Sequence, residues 1–167
     1  MERRSLNCLK WGIFFTFVNI EIGQLNLLPE FVGMLLFYAS IRSHQEPRPG
    51  ESRVAPLFLV LAADYFLHWI WQFENAVEGL LALAISLYAL YVLLGEVAER
   101  IRPMQPDRAA GLEFLRACAV ILQCIGFLVS PFGFQALNLL LTIAVIGVCI
   151  ALIVAVCGIR QGEAVQG

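Results

Sequence analysis

The sequence predicts an all-α integral membrane protein, a bundle of six transmembrane helices arranged as three hairpins with both termini cytoplasmic. Three observations lead there. First, 60% of the 167 residues are hydrophobic and only 14% are charged, well below the roughly 25% charged residues of ordinary soluble domains. A soluble globule of this length could not hide so much apolar surface, so lipid is the expected solvent. Second, two hydrophilic stretches, SHQEPRPGESR (43–53) and ERIRPMQPDRAAG (99–111), divide the chain into apolar blocks 6–42, 54–98 and 112–159. Each block is about twice the roughly 20 residues that one span needs. Third, six spans put all 11 Lys and Arg on one side, and the positive-inside rule makes that side cytoplasmic.

The elements follow in order, at about 6–24, 28–43, 55–72, 76–98, 111–129 and 132–159. The opening MERRSLNCLKWGIFFTFV has the basic-then-apolar look of a signal peptide. No A-x-A site follows it, so a retained first span is expected. Pro29 suits the first position of the second helix, and Glu30 in that first turn complements its dipole. The third and fourth helices meet at WQFENAVE, where Asn75 and Glu78 have capping-box spacing. In SPFGF, Ser130 is a cap and Pro131 opens the sixth helix. The whole chain then reads as a single transmembrane domain, since the connectors are too short for a soluble one. A four-span arrangement, with the first block as one long or re-entrant element, is the alternative.

Several function classes fall away. The net charge of −2 gives no basic field for nucleic acid. No GxxxxGK[ST], GxGxxG or HExxH occurs, so ATP-driven work would need a separate subunit. Cys8, Cys118, Cys124, Cys149 and Cys157 lie in or beside apolar runs, without CxxC spacing, and read as small core residues. Haem ligation would need two histidines at matched depth, and His44 and His68 are not matched. A zinc site needs about three protein ligands. Only His68 is a good one, with Asp64 and Glu21 or Glu78 as weak completions. No cofactor or metal is expected.

The stretch AADYFLHWIW (62–71) carries the chemistry. Ionisable groups inside a span are costly and usually face protein or water. Asp64 and His68, four apart, share one helix face. Together they could relay a proton, or bind a cation or an amine. Four further acids, Glu21, Glu30, Glu74 and Glu78, fall on the outer side, to which six spans assign no Lys or Arg. With Asn19 they form a candidate electronegative mouth above Asp64. Tyr65, Trp69 and Trp71 read either as an interfacial aromatic belt or, for Tyr65 and Trp69, as walls of a ligand pocket. Gly12, Thr16, Asn19 and Gly23 recur at spacings of 4, 3 and 4, a small-residue face suited to close helix packing or to a separate membrane subunit. Gly33 permits the same closeness on the second helix. Gln123, Gln135, Asn138 and Thr142 could line an interior cavity, and Glu113 with Arg116 reads as a cytoplasm-side ion pair.

The segment LNLLPEFVGMLLFYASIR (25–42), with Leu28, Pro29, Glu30, Phe31 and Gly33, resembles a segment of small bacterial membrane proteins with six spans. That family supplies no activity to carry over. By size and span count the chain also resembles the substrate-binding subunits of energy-coupling-factor vitamin importers, although the alanine-spaced coupling motif of their first span is absent here. Both resemblances imply the plasma membrane of a bacterium. The functional expectation is a small transport protein or transporter subunit that binds a cation, a proton or a small amine-bearing solute from the outer face. The alternative is a non-catalytic assembly or regulatory partner in a larger membrane complex. An intramembrane enzyme using Asp64 and His68 as acid and base is the third reading, and no nucleophile stands beside that pair in sequence.

Overall fold

The computed structural model describes residues 3–17, 21–22, 25–26, 30–44, 46–71, 76–129, 132 and 134–159. The elements are α1 (Arg3–Phe17), β1 (Glu21–Ile22), β2 (Leu25–Asn26), α2 (Glu30–Arg42), α3 (Pro49–Trp71), α4 (Ala76–Ile101), α5 (Pro106–Val129) and α6 (Gln135–Cys157). The architecture is helical, and β1 and β2 form only a minimal antiparallel ladder, Glu21 opposite Asn26 and Ile22 opposite Leu25. Among the described residues four helices, α3 to α6, are long and apolar enough to cross a membrane. The first two are shorter. At 15 and 13 residues they rise about 22 and 20 Å, against a hydrocarbon core of about 30 Å.

Several boundaries differ from the sequence expectation: α6 opens at Gln135 with Phe134 as its N-cap, not at 132, and three larger shifts have a local reason. The first helix ends at Phe17 and residues 21–22 are a strand, so no helix runs to 24. Ile22 lies in β1, and β-branched residues favour extended backbone. Helices α3 and α5 start at Pro49 and Pro106, well before the expected 55 and 111. Proline is preorganised for the first helical position, and Glu51 and Asp107 in the first turns complement the dipoles. The polar stretches are therefore largely helix ends, and the connectors shrink to 43–48 and 102–105. Pro29, Asn75, Ser130 and Pro131, assigned to the turns, lie outside the described residues.

Each helix packs on its neighbours in sequence, and α6 closes the ring on α1. The core is concentrated at one end of this ring, the end that carries the Lys and Arg residues. Leu9, Phe37, Val54, Phe58, Leu93, Leu94, Leu112 and Leu152 are all fully buried there. Toward the opposite end, Ile121, Leu128, Leu139 and Ile143 are more than half exposed, as lipid-facing side chains would be. Gly12 and Gly33 mark a close approach of α1 and α2. A Cβ at Gly12 would sit 2.7 Å from the Phe37 ring, and one at Gly33 would sit 2.6 Å from Thr16 Oγ1. The small-residue face of α1 is thus filled by α2, while its other members, Asn19 and Gly23, lie outside the described residues. In the centre, Thr16, Ser86 and Gln123 line a cavity of about 30 Å³, room for about one water. Phe37 and Phe58, with ring centroids 5.2 Å apart, close it toward the basic end.

Candidate functional site

Asp64 and His68 sit one turn apart near the C-terminal end of α3. Glu78 sits in the first turn of α4. Because α3 and α4 run antiparallel, the end of one faces the start of the other. His68 Nδ1 lies 3.8 Å from Asp64 Oδ1, and His68 Nε2 lies 3.8 Å from Glu78 Oε2. His68 Nδ1 is also 3.1 Å from the Asp64 carbonyl. Donation of the Nδ1 proton to that carbonyl leaves the Nε2 lone pair facing Glu78. One ligand atom from each of Asp64, His68 and Glu78 lies within 4.8 Å of the other two. All three side chains are half-buried, so the group is reachable yet shielded.

Glu78 lies in the first turn of α4, so the start of that helix meets a charge its dipole stabilises. Tyr65 places its hydroxyl against Ser86 of α4, near enough to Glu30 and Asp64 for their charges to act on it. Glu30, Asp64 and Tyr65 thus gather on the same side of the bundle. Trp69 packs on Phe31, with centroids 6.0 Å apart, and on Phe66, and it stays 45% exposed. Its ring partners are aromatic, which suits an interfacial belt better than a pocket wall.

Other expected residues are scattered. Only the backbone of Glu21 is described, in β1, and Asn19, Gly23 and Glu74 lie outside the described residues. Gln123 reaches the central cavity, whereas Gln135 and Thr142 are exposed on α6. Glu113 is 3.9 Å from Arg116 as expected, yet its nearer partner is Arg102 at 2.6 Å. Arg116 instead stacks on Tyr91, 4.3 Å from the ring centroid.

Sequence reasoning missed a polar cluster at the basic end. His44 and Glu51, assigned to a solvated loop, are 7% and 0% exposed. Glu51 occupies the third position of α3 and accepts the Arg48 N–H at 2.9 Å, one half of a capping box. Arg100 Nη2 donates to the same carboxylate at 2.9 Å. His44 Nδ1 faces Glu51 Oε1 at 3.1 Å, off the line of a straight hydrogen bond. His44 Nε2 lies 2.8 Å from Ser5 Oγ, which also meets Ser40 Oγ at 3.0 Å. Hydroxyl, imidazole and carboxylate follow the order of a nucleophilic triad. However, Ser5 is wholly buried and its oxygen is shared with Ser40, so no substrate carbonyl can reach it. The cluster clamps α1, α2, α3 and α4 together. Proline at 49 with glutamate two residues on was the available signal, since it predicts an early helix start with Glu51 turned back onto its own cap.

A scan against protein-family models and searches of the curated proteins and of the solved structures give no match to this chain.

Proposed function

We propose that this chain is a small multi-pass protein of a bacterial plasma membrane that binds a cation from the outer face, acting as a transport protein or a transporter subunit. The carrying observation is the convergence of Asp64, His68 and Glu78 from two helices, with mutual ligand distances within 4.8 Å. Two carboxylates and one imidazole suit a borderline divalent ion such as Zn²⁺ or Mn²⁺. Ligand atoms around such an ion sit about 3.4 Å apart; with one ring nitrogen offered by His68, the three ligand atoms lie within 4.8 Å of one another, so the side chains must draw together by about an ångström to hold the ion. A proton or a small ammonium group could use the same carboxylates.

The orientation rests on the basic residues. With the Lys- and Arg-bearing end cytoplasmic, the Asp64 group lies toward the outside, where the carboxylates of Asp64 and Glu78 draw cations in. Six crossings satisfy this arrangement. A re-entrant α1–α2 hairpin beside four crossings leaves the same end cytoplasmic. The assembly-partner reading drew on the small-residue face of α1. Occupation of that face by α2 at Gly12 and Gly33 removes that support. Titration of the purified protein with Zn²⁺ and Mn²⁺, followed by uptake into proteoliposomes, tests the proposal. Asp64→Asn is expected to abolish both binding and uptake, and a variant indistinguishable from wild type in both would overturn it.

A further inference from the structure

The groove between α2 and α3 at the basic end is a second candidate site. It encloses about 490 Å³, and its lining is graded along the helix axes. Arg42, His44 and Ser52 stand at the end nearest the loop 43–48, and Ala55, Pro56 and Leu59 continue away from it. On α3 these positions run i, i+3, i+4, i+7, so they form one continuous face. The cleft is therefore polar at its mouth and apolar along its length.

Two details make the polar end receptive. Pro56 has no N–H, so the Ser52 carbonyl four residues earlier lacks its helical donor, and Ser52 is exposed within the cleft. Arg42 is also exposed and lies over the Tyr38 ring, 5.8 Å from its centroid. Carboxylates hold Arg48, Arg100, Arg102 and Arg116. Among the described residues none holds Arg42. An unneutralised guanidinium at the mouth of an apolar channel calls for an anion with a hydrocarbon tail.

We infer that this cleft seats an anionic phospholipid of the cytoplasmic leaflet, its phosphate on Arg42 and an acyl chain along Ala55, Pro56 and Leu59. Charge complementarity fixes the sign of the head group. The apolar floor separates a lipid from a free phosphate ion, which would leave Leu59 and Ala55 uncovered. Basic pockets between helices on the cytoplasmic side are general sites for such lipids. The inference rests on the membrane orientation proposed above and not on the cation site, so either can fail alone.

Native mass spectrometry of the full chain, with phosphatidylglycerol, phosphatidylcholine or inorganic phosphate added, tests it. Wild type is expected to retain phosphatidylglycerol over phosphatidylcholine. Arg42→Gln should weaken that binding by about tenfold or more, the loss of one charge-assisted contact. Arg53→Gln removes the same charge from an exposed residue outside the cleft and should leave binding unchanged. Equal retention of the two lipids would overturn the inference, as would equal losses in the two variants. Displacement of phosphatidylglycerol by stoichiometric inorganic phosphate would instead identify an ion site and overturn the lipid.

Discussion

Replacing Glu51 by alanine should destabilise the bundle more than any surface change, and the size can be worked out from the contacts. The carboxylate is fully buried and faces three groups: Arg100 Nη2 at 2.9 Å, the Arg48 N–H at 2.9 Å and His44 Nδ1 at 3.1 Å. Breaking a buried ion pair by removing one partner costs about 3–5 kcal/mol. Arg100 moderates this, because its side chain is 25% exposed and can recover water. The lost capping bond adds about 1 kcal/mol. A net destabilisation of about 3 kcal/mol follows, equivalent to a Tm lower by about 6–12 °C for a chain of this size. Thermal unfolding in detergent micelles, read by intrinsic tryptophan fluorescence, measures it. Glu51→Gln keeps one acceptor for Arg100 or Arg48 and should lose clearly less. An alanine variant that melts with wild type would refute the reasoning, since the cluster would then contribute nothing to holding the four helices.

Gly33→Val should force α1 from α2, because its Cβ would lie 2.6 Å from Thr16 Oγ1 and 3.1 Å from the Gly12 carbonyl. Overpacking of this kind costs about 1–3 kcal/mol, and a melting curve unchanged from wild type would count against the close approach. His68→Ala should weaken Zn²⁺ binding sharply by removing the only nitrogen ligand of the group, and Glu78→Gln should weaken it less; calorimetric titration ranks the two. In a cysteine-free background, a cysteine at 132 should react with a membrane-impermeant maleimide from outside intact cells. One at 104 should react only after permeabilisation, and the reverse pattern would invert the proposed orientation. Arg116→Lys should lose the planar stack on Tyr91, worth about 0.5–1 kcal/mol, and show as a small drop in Tm.

The parts of this fold that were legible in the sequence are those set by local pattern. The apolar runs of α3 to α6 announce themselves by length alone, and Gly12 with Thr16 marks the face of α1 that α2 covers. Asp64 and His68 could be paired because a helix makes i and i+4 neighbours. Glu78 could be added because a short turn had to bring it back beside them. What stayed hidden depends on contacts distant in sequence. Ser5, His44, Glu51 and Arg100 are drawn from three separate stretches, and the last three sit in or beside segments polar enough to pass for solvated connectors. Hydropathy reads Glu51 as loop; only the geometry of the α3 start turns it inward. The ladder of β1 and β2 was equally hidden, since an apolar run of Val, Ile and Leu reads as helix wherever a span is expected.

The one-sided core has a consequence for how this chain tolerates change. Truncating Leu93 or Leu152, each wholly enclosed, removes contacts on every side and leaves a void worth about 2–5 kcal/mol. The same truncation at Leu139, 63% exposed, empties nothing. Sequence drift should therefore be steeply restrained where the helices are riveted together and nearly free where they stand apart. A saturation screen would trace that gradient as a slope along the bundle axis, not as a contrast between inside and outside.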